Sequence, residues 1–216
     1  NKYKNKRGGA KMIKNIKTFI GGMCETNSYI ISDENGVCVI VDPEGRADSY
    51  IRYISENGLK PEAILLTHAH FDHIGAMEPL RKEYSIKVYA GEKEKDVLNN
   101  PAINLTGMVG AQKSFEADVY LKDGEELTIG DMTFKTIFTP GHTCGSVCYI
   151  VDDVMVAGDT LFMGSCGRTD FPTGDWGKMN ESLQMLKNLE GDYKVLSGHG
   201  PATTLERERK TNMFMR

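Results

Sequence analysis

Short runs of β-branched and aromatic residues, each closed by a turn, recur along this chain. Residues 12–20 (MIKNIKTFI), 27–32 (NSYIIS) and 36–42 (GVCVIVD) read as successive strands at hairpin spacing. Residues 46–57 (RADSYIRYISEN) read as a helix, with Ile51, Tyr53 and Ile54 on one face and Gly58 as its stop. AILLT at 63–67 is continuously apolar, which predicts a strand buried on both faces. A helix over 73–83 and a strand at 86–90 (IKVYA) follow, and residues 91–118 open helically (EKEKDVLNN) before a polar, glycine-bearing loop. Strands resume at VYL, EELTI, MTFKTIFT, SVCYIVD and VMVAG. A helix over 178–189, the strand YKVLS at 193–197 and a charged helical tail complete the pattern. Strands in meander order with intervening helices predict an α/β fold whose sheets are covered by helices.

No internal repeat or low-complexity linker interrupts this pattern, so a single domain is expected over residues 12–216. Met12 reads as a natural start and residues 1–11 as an N-terminal extension. Apolar residues make up 40% of the chain and charged residues 26%, a composition able to build a buried core. The net charge of −4, with no Lys/Arg stripe, argues against nucleic acid as the main partner. No apolar run reaches the roughly 18–20 residues a membrane span needs. Five scattered cysteines without a CxxC pair (Cys24, Cys38, Cys144, Cys148, Cys166) read as reduced thiols in a cytoplasmic protein. The expected partner is therefore a small-molecule substrate.

The chemistry concentrates at Thr67-His68-Ala69-His70-Phe71-Asp72-His73, just past the apolar strand AILLT. A lone loop histidine would carry little meaning, but four potential metal ligands within six residues exceed what structure needs. Three further strands end the same way. His142 lies in a TPGHT turn after FKTIFT, Asp159 ends VMVAG, and His199 lies in a SGHG turn after YKVLS. All five histidines of the chain fall in these positions. Imidazoles and carboxylates without thiolates suit a hydrolytic zinc, iron or manganese site with an open coordination position. Seven ligands are too many for one catalytic ion but suit two divalent ions sharing a carboxylate, roughly 3.5–4 Å apart. Glycines beside the ligands, among them Gly158 and Gly198, permit the sharp turns that aim the side chains inward.

HAHFDH, followed by TPGHT, GD and GHG, resembles the metallo-β-lactamase superfamily. The segments LFMGSCGRTDFPTGDW (161–176) and GHGPATTLERERKTN (198–212) are similar to the short, single-domain glyoxalase II-like hydrolases. The resemblance implies an αββα four-layer sandwich with the site at one edge. It implies His68, His70 and His142 on a first metal, Asp72, His73 and His199 on a second, and Asp159 bridging them, with zinc as the leading metal. Asp72 is also the candidate catalytic carboxylate. The implied reaction is attack of a metal-activated hydroxide on the carbonyl of a thioester such as an acylglutathione. Full-length glyoxalase II enzymes carry an added C-terminal helical domain that supplies much of the glutathione site. Here the chain ends at Arg216, shortly after His199, so loose discrimination among thiol carriers is expected.

GRTDF is also close to a segment of the persulfide dioxygenases, which use one iron. The alternative reading is thus a mononuclear iron oxygenase on His68, His142 and Asp159, and a lactonase of the same fold stays open. A non-catalytic scaffold fits seven intact ligand positions poorly. Arg168 can clamp a substrate carboxylate bidentately or pair internally with Asp170. Cys144, Cys148 and Cys166 read as inert thiols, Phe171 and Trp176 as local packing, and ERERK as a solvated helical face.

Overall fold

The computed structural model describes residues 12–216; the expected extension at 1–11 lies outside the described residues. The first sheet is laid down in chain order by β1 (Asn15–Gly21), β2 (Thr26–Ser32), β3 (Val37–Val41), β4 (Lys60–Leu65), β5 (Lys87–Gly91) and β6 (Val119–Leu121). Its first three strands are antiparallel hairpin neighbours, whereas β3 to β6 run parallel. Parallel neighbours need crossovers, supplied by the helices α1 (Ala47–Glu56), α2 (Met77–Tyr84) and α3 (Lys95–Asn99).

The second sheet contains β7 (Glu126–Ile129), β8 (Met132–Phe138), β9 (Val147–Val151) and β10 (Val154–Gly158). A small separate hairpin, β11 (Leu161–Phe162) and β12 (Ser165–Cys166), precedes the helix α4 (Trp176–Lys187). The chain then returns to the second sheet as β13 (Lys194–Ser197) and β14 (Thr203–Thr204), giving the order β14-β13-β10-β9-β8-β7, and ends in α5 (Leu205–Thr211).

Period-two alternation explains the layering. Tyr29 and Ile31 of β2, Val39 and Val41 of β3, and Ala63 and Leu65 of β4 face one way. They meet Phe134, Tyr149, Val156 and Leu196 of the second sheet in a common core. The intervening Ile30, Ile40 and Ile64 face the other way, onto Tyr50 and Ile54 of α1, Met77 and Leu80 of α2, and Val97 of α3. On the far side, Ile137, Ile150, Met155 and Val195 pack on Met179, Leu183 and Leu186 of α4. The result is helix, sheet, sheet, helix, the αββα sandwich expected. Leu183 is fully buried, and its truncation to alanine would cost about 2–5 kcal/mol.

Local signals set the helix ends. Asp175 caps α4 by accepting from the Lys178 amide at 2.9 Å. The α1 helix stops before Gly58, whose φ of +60° no continuing helix adopts. Its most buried residue is Tyr50, with Ile51 and Tyr53 only partly covered. The Tyr50 hydroxyl donates to the Glu44 carbonyl at 2.7 Å, which pulls that ring into the core. No described helix is long and apolar enough to cross a membrane.

Strand direction places the site. β9 is antiparallel to both β8 and β10, and β10 is parallel to β13, so β8, β10 and β13 all end at one edge of the second sheet. The end of β4 meets that edge from the first sheet. There the Val147 amide donates to the Thr67 carbonyl at 2.8 Å, and the Tyr149 hydroxyl donates to the Leu66 carbonyl at 2.9 Å.

Candidate metal centre

The four strand ends deliver their side chains to one point. After β4 the chain runs through His68 and His70 into a single 3-10 turn, Phe71–His73, which carries Asp72 and His73. His142 follows β8, Asp159 follows β10 and His199 follows β13. Two groups of donor atoms form, His68/His70/His142 and Asp72/His73/His199, each with its ligating atoms within 4.8 Å of one another. Asp159 reaches both. Its Oδ2 is 3.5 Å from His142 Nε2 and 3.4 Å from His199 Nε2, and its Oδ1 is 3.4 Å from His73 Nε2. All seven donors expected from the sequence are therefore gathered.

Three of the five rings are oriented from behind. His73 Nδ1 donates to Asp42 Oδ2 at 3.0 Å, His142 Nδ1 to the Arg168 carbonyl at 2.7 Å, and His199 Nδ1 to the Cys24 carbonyl at 3.1 Å. A carboxylate or carbonyl only accepts, so Nδ1 carries the hydrogen in all three and Nε2 is left for an ion. His70 Nδ1 instead faces His142 Nε2 at 2.9 Å. Among the described residues, His68 Nε2, His73 Nε2 and Asp159 Oδ1 are buried without a hydrogen-bond partner. Buried polar atoms are rarely left so, and these converge from an imidazole and carboxylate set, which fits a dinuclear metal site.

A third grouping, Asp42 with His68 and His73, is of another kind. Asp42 is already engaged by the Thr67 amide at 2.7 Å, the Thr67 hydroxyl at 2.5 Å and His73. It orients ligands rather than holding an ion.

The protonation pattern differs between the two sides. Burial, followed by the neighbouring imidazoles His73 and His142, holds His68 well below the usual histidine range; burial and His142 take His70 down to about 3. Both are neutral with lone pairs ready. Burial also pulls on His73, but the charges of Asp159 and Asp42 overcome it and raise that ring well above its usual value. His199, against the same opposition from burial, is raised to about 10 by Asp159 and Asp72. Burial alone would raise Asp72, yet the His199 hydrogen bond and the His73 charge hold it at about 2; His73 likewise keeps Asp159 well below the carboxylate range.

Glycine is required at two of these turns. Gly158 has φ +47°, and a Cβ there would lie 2.2 Å from Thr67 Oγ1. A Cβ on Gly198 would lie 2.1 Å from Asp159 Oδ1 and 2.7 Å from His73 Cε1. The solvent side is that of His199, whose side chain is 28% exposed against 10–11% for Asp159 and Asp72.

Arg168 enters the centre through its backbone carbonyl, which the sequence could not signal. Its side chain pairs with Asp170, with Nε to Oδ1 at 2.6 Å, and lies 4.1 Å over the Phe171 ring. That ring in turn stands 5.8 Å edge-on from His70. Trp176 packs on Phe214 at 5.9 Å, as local packing predicts. Burial raises Cys144, and takes Cys148 and Cys166 to about 11, so these thiols stay protonated. Asp42 was missed although it ends an apolar strand as Asp159 does. Glu94 was missed because it sits in a charged run, yet it is fully buried.

Comparison with known proteins accords with this geometry. Residues 21–199 match the metallo-beta-lactamase superfamily, and the chain belongs to that family. A probable metallo-hydrolase of Bacillus subtilis is 42% identical over 200 residues, covering 90% of this chain and 94% of the relative. The hydroxyacylglutathione hydrolase GloC of Haemophilus influenzae is 32% identical, covering 88% and 93%. Among solved structures, the B3 metallo-beta-lactamase BLEG-1 superposes with a TM-score of 0.88 at 40% identity, over 93% of this chain and 99% of that one. TTHA1623 in a di-iron-bound form gives 0.81 at 31%, covering 92% and 99%. ETHE1 from Myxococcus xanthus gives 0.78 at 26%, covering 93% and 84%. The chain is thus a member of a metallo-hydrolase superfamily.

Proposed function

We propose that this protein hydrolyses thioesters of the acylglutathione type, using two divalent ions. His68, His70 and His142 would hold one ion and Asp72, His73 and His199 the other, with Asp159 within reach of both. The observation that carries this reading is the pair of donor clusters joined by one carboxylate. The donor set favours zinc, with iron or manganese as alternatives. Bound there, such ions supply water whose pKa falls towards about 7 and neutralise charge developing on a carbonyl oxygen.

The chain's own groups do the rest. Thr26 Oγ1 donates to Asp72 Oδ2 at 3.1 Å, which keeps that carboxylate turned into the centre, where it would orient the attacking water. The open His199 side admits the substrate. Phe171 beside His70 gives an apolar wall, and Arg168 stacked on it can turn from Asp170 to a substrate carboxylate. A thiolate leaving group, with a thiol pKa of roughly 8.5, needs little acid assistance. GloC supports glutathione thioesters within this chain length, since this chain spans 93% of it.

A second reading, a mononuclear iron oxygenase acting on persulfides, draws on the GRTDF segment and the likeness to ETHE1. One experiment separates them: metal content per chain, with lactoyl-glutathione hydrolysis and oxygen uptake on a persulfide measured on the same preparation. Close to two ions with hydrolysis is expected. One iron with oxygen uptake would replace the hydrolase by the oxygenase.

A further inference from the structure

Behind the three-histidine cluster lies a carboxylate that no ion pair reaches among the described residues. Glu94 follows the end of β5, inside the run EKEKD, and is fully buried. Its Oε2 accepts from the Ala69 amide at 3.0 Å. Its Oε1 accepts from the Gly145 amide at 3.2 Å and from the Thr143 hydroxyl. Ala69 stands between His68 and His70, and Thr143 follows His142. One side chain therefore ties together the two loops that carry the three histidines.

The packing around it is close. A Cβ on Gly145 would lie 2.3 Å from the Glu94 amide nitrogen, and one on Gly91 would lie 2.7 Å from the Gly145 carbonyl. Thr143 Oγ1 also meets Ser146 Oγ at 2.6 Å, so its hydroxyl is set on both sides. A buried carboxylate without a counter-ion is costly, and burial takes this one up to about 7 despite its donors. Glutamine has the same shape but only one accepting oxygen, so it must turn an NH2 towards one of the two amides. The other cluster has separate supports, in Asp42 behind His73, Thr26 behind Asp72 and the Cys24 carbonyl behind His199.

We propose that Glu94 is a positioning residue that sets the spacing of His68, His70 and His142, and so controls the ion of that cluster alone. The assignment rests on the metal-centre reading above. Partners behind a ligand typically change ion affinity by about 10–100-fold when removed.

The test is Co2+ affinity by chelator competition, measured for Glu94→Gln in two backgrounds. In His199→Ala, which disables the other cluster, Glu94→Gln should weaken the remaining ion by about 10–100-fold. In His70→Ala, which disables the three-histidine cluster, it should change affinity by less than about threefold. Thr143→Val, which removes one donor and leaves the carboxylate, should weaken the same cluster by a smaller factor, and Glu94→Asp should recover only part of the loss. Unchanged affinity in His199→Ala, with only a lowered melting temperature, would make Glu94 a fold residue and overturn the proposal. Equal weakening in both backgrounds would overturn its selectivity. A parent chain that takes up no divalent ion would instead overturn the metal-centre reading, and this assignment with it.

Discussion

Replacing Asp42 by asparagine should weaken binding of an ion at the proposed His73 cluster without unfolding the protein. Asp42 has φ +47°, a conformation asparagine accepts nearly as well as aspartate, so this change isolates chemistry from backbone strain. The carboxylate accepts from the Thr67 amide on Oδ1, and from the Thr67 hydroxyl and His73 Nδ1 on Oδ2. Asparagine has one acceptor oxygen and two outcomes. With the oxygen towards His73, its NH2 faces the Thr67 amide and leaves a buried donor unsatisfied, at about 1–3 kcal/mol. With the oxygen towards Thr67, its NH2 faces His73 Nδ1, and that ring must move its hydrogen to Nε2, the nitrogen meant for the ion. Either way ion affinity should fall by about 10–100-fold, or about 1.4–2.7 kcal/mol, typical of a lost partner behind a ligand. Chelator competition reads the affinity, and urea unfolding of the metal-free protein reads the stability cost separately. If Asp42→Asn held both ions as tightly as the parent and kept its rate, the assignment of Asp42 as the group orienting His73 would be wrong.

Asp159→Ala should lose metal and drop hydrolysis by at least about 10²-fold, read by elemental analysis and initial rates; retained activity would remove Asp159 from the centre. Stability of the metal-free protein should peak near pH 6–7. His73 and His199 are raised above the unfolded value of about 6.5, so the stability they give is complete below it and lost as pH rises, for His199 through about 10. His68 and His70 are lowered, so falling pH protonates them first in the unfolded chain and destabilises the fold below about 6.5, for His70 down to about 3. Urea midpoints from pH 5 to 9 in chelator test this, and a midpoint rising steadily to pH 9 would refute it. Arg168→Ala should raise KM for a carboxylate-bearing thioester by about tenfold, the scale of one charge-assisted hydrogen bond, and leave a neutral thioester unchanged. A KM for the carboxylate-bearing thioester unchanged from the parent would confine Arg168 to its pair with Asp170.

The donors were legible because each combines two signals, an apolar strand and a polar turn holding a histidine or aspartate. That pattern survives without knowing how the strands pair. The supports behind them were not legible, for three different reasons. Asp42 ends an apolar strand as Asp159 does, but only Asp159 also lies in a motif, GD, that the family resemblance rests on. Glu94 is disguised by the lysines around it, and only tertiary packing shows that it turns inward. The carbonyls of Arg168 and Cys24 have no sequence signature, because every residue offers one. In the fold, β4 begins at Lys60, ahead of its apolar run, because Lys60 and Pro61 are paired by Val37 and Cys38 of the neighbouring strand. The two-residue strands β11, β12 and β14 are too short for periodicity to register.

Each donor cluster takes its members from both halves of the chain. His68 and His70 come with the first sheet and His142 with the second; Asp72 and His73 come with the first and His199 with the second. An ion in either cluster is therefore a staple across the sandwich, closing a long loop of chain much as a disulfide would, but reversibly. The seam between the sheets should then respond to chelator before the outer helices do. Amide exchange at Leu66, Thr67 and Val147 would accelerate first, while the buried faces of α1 and α4 keep their protection. Ions bound there would serve the chemistry and also hold together the two half-folds that carry it.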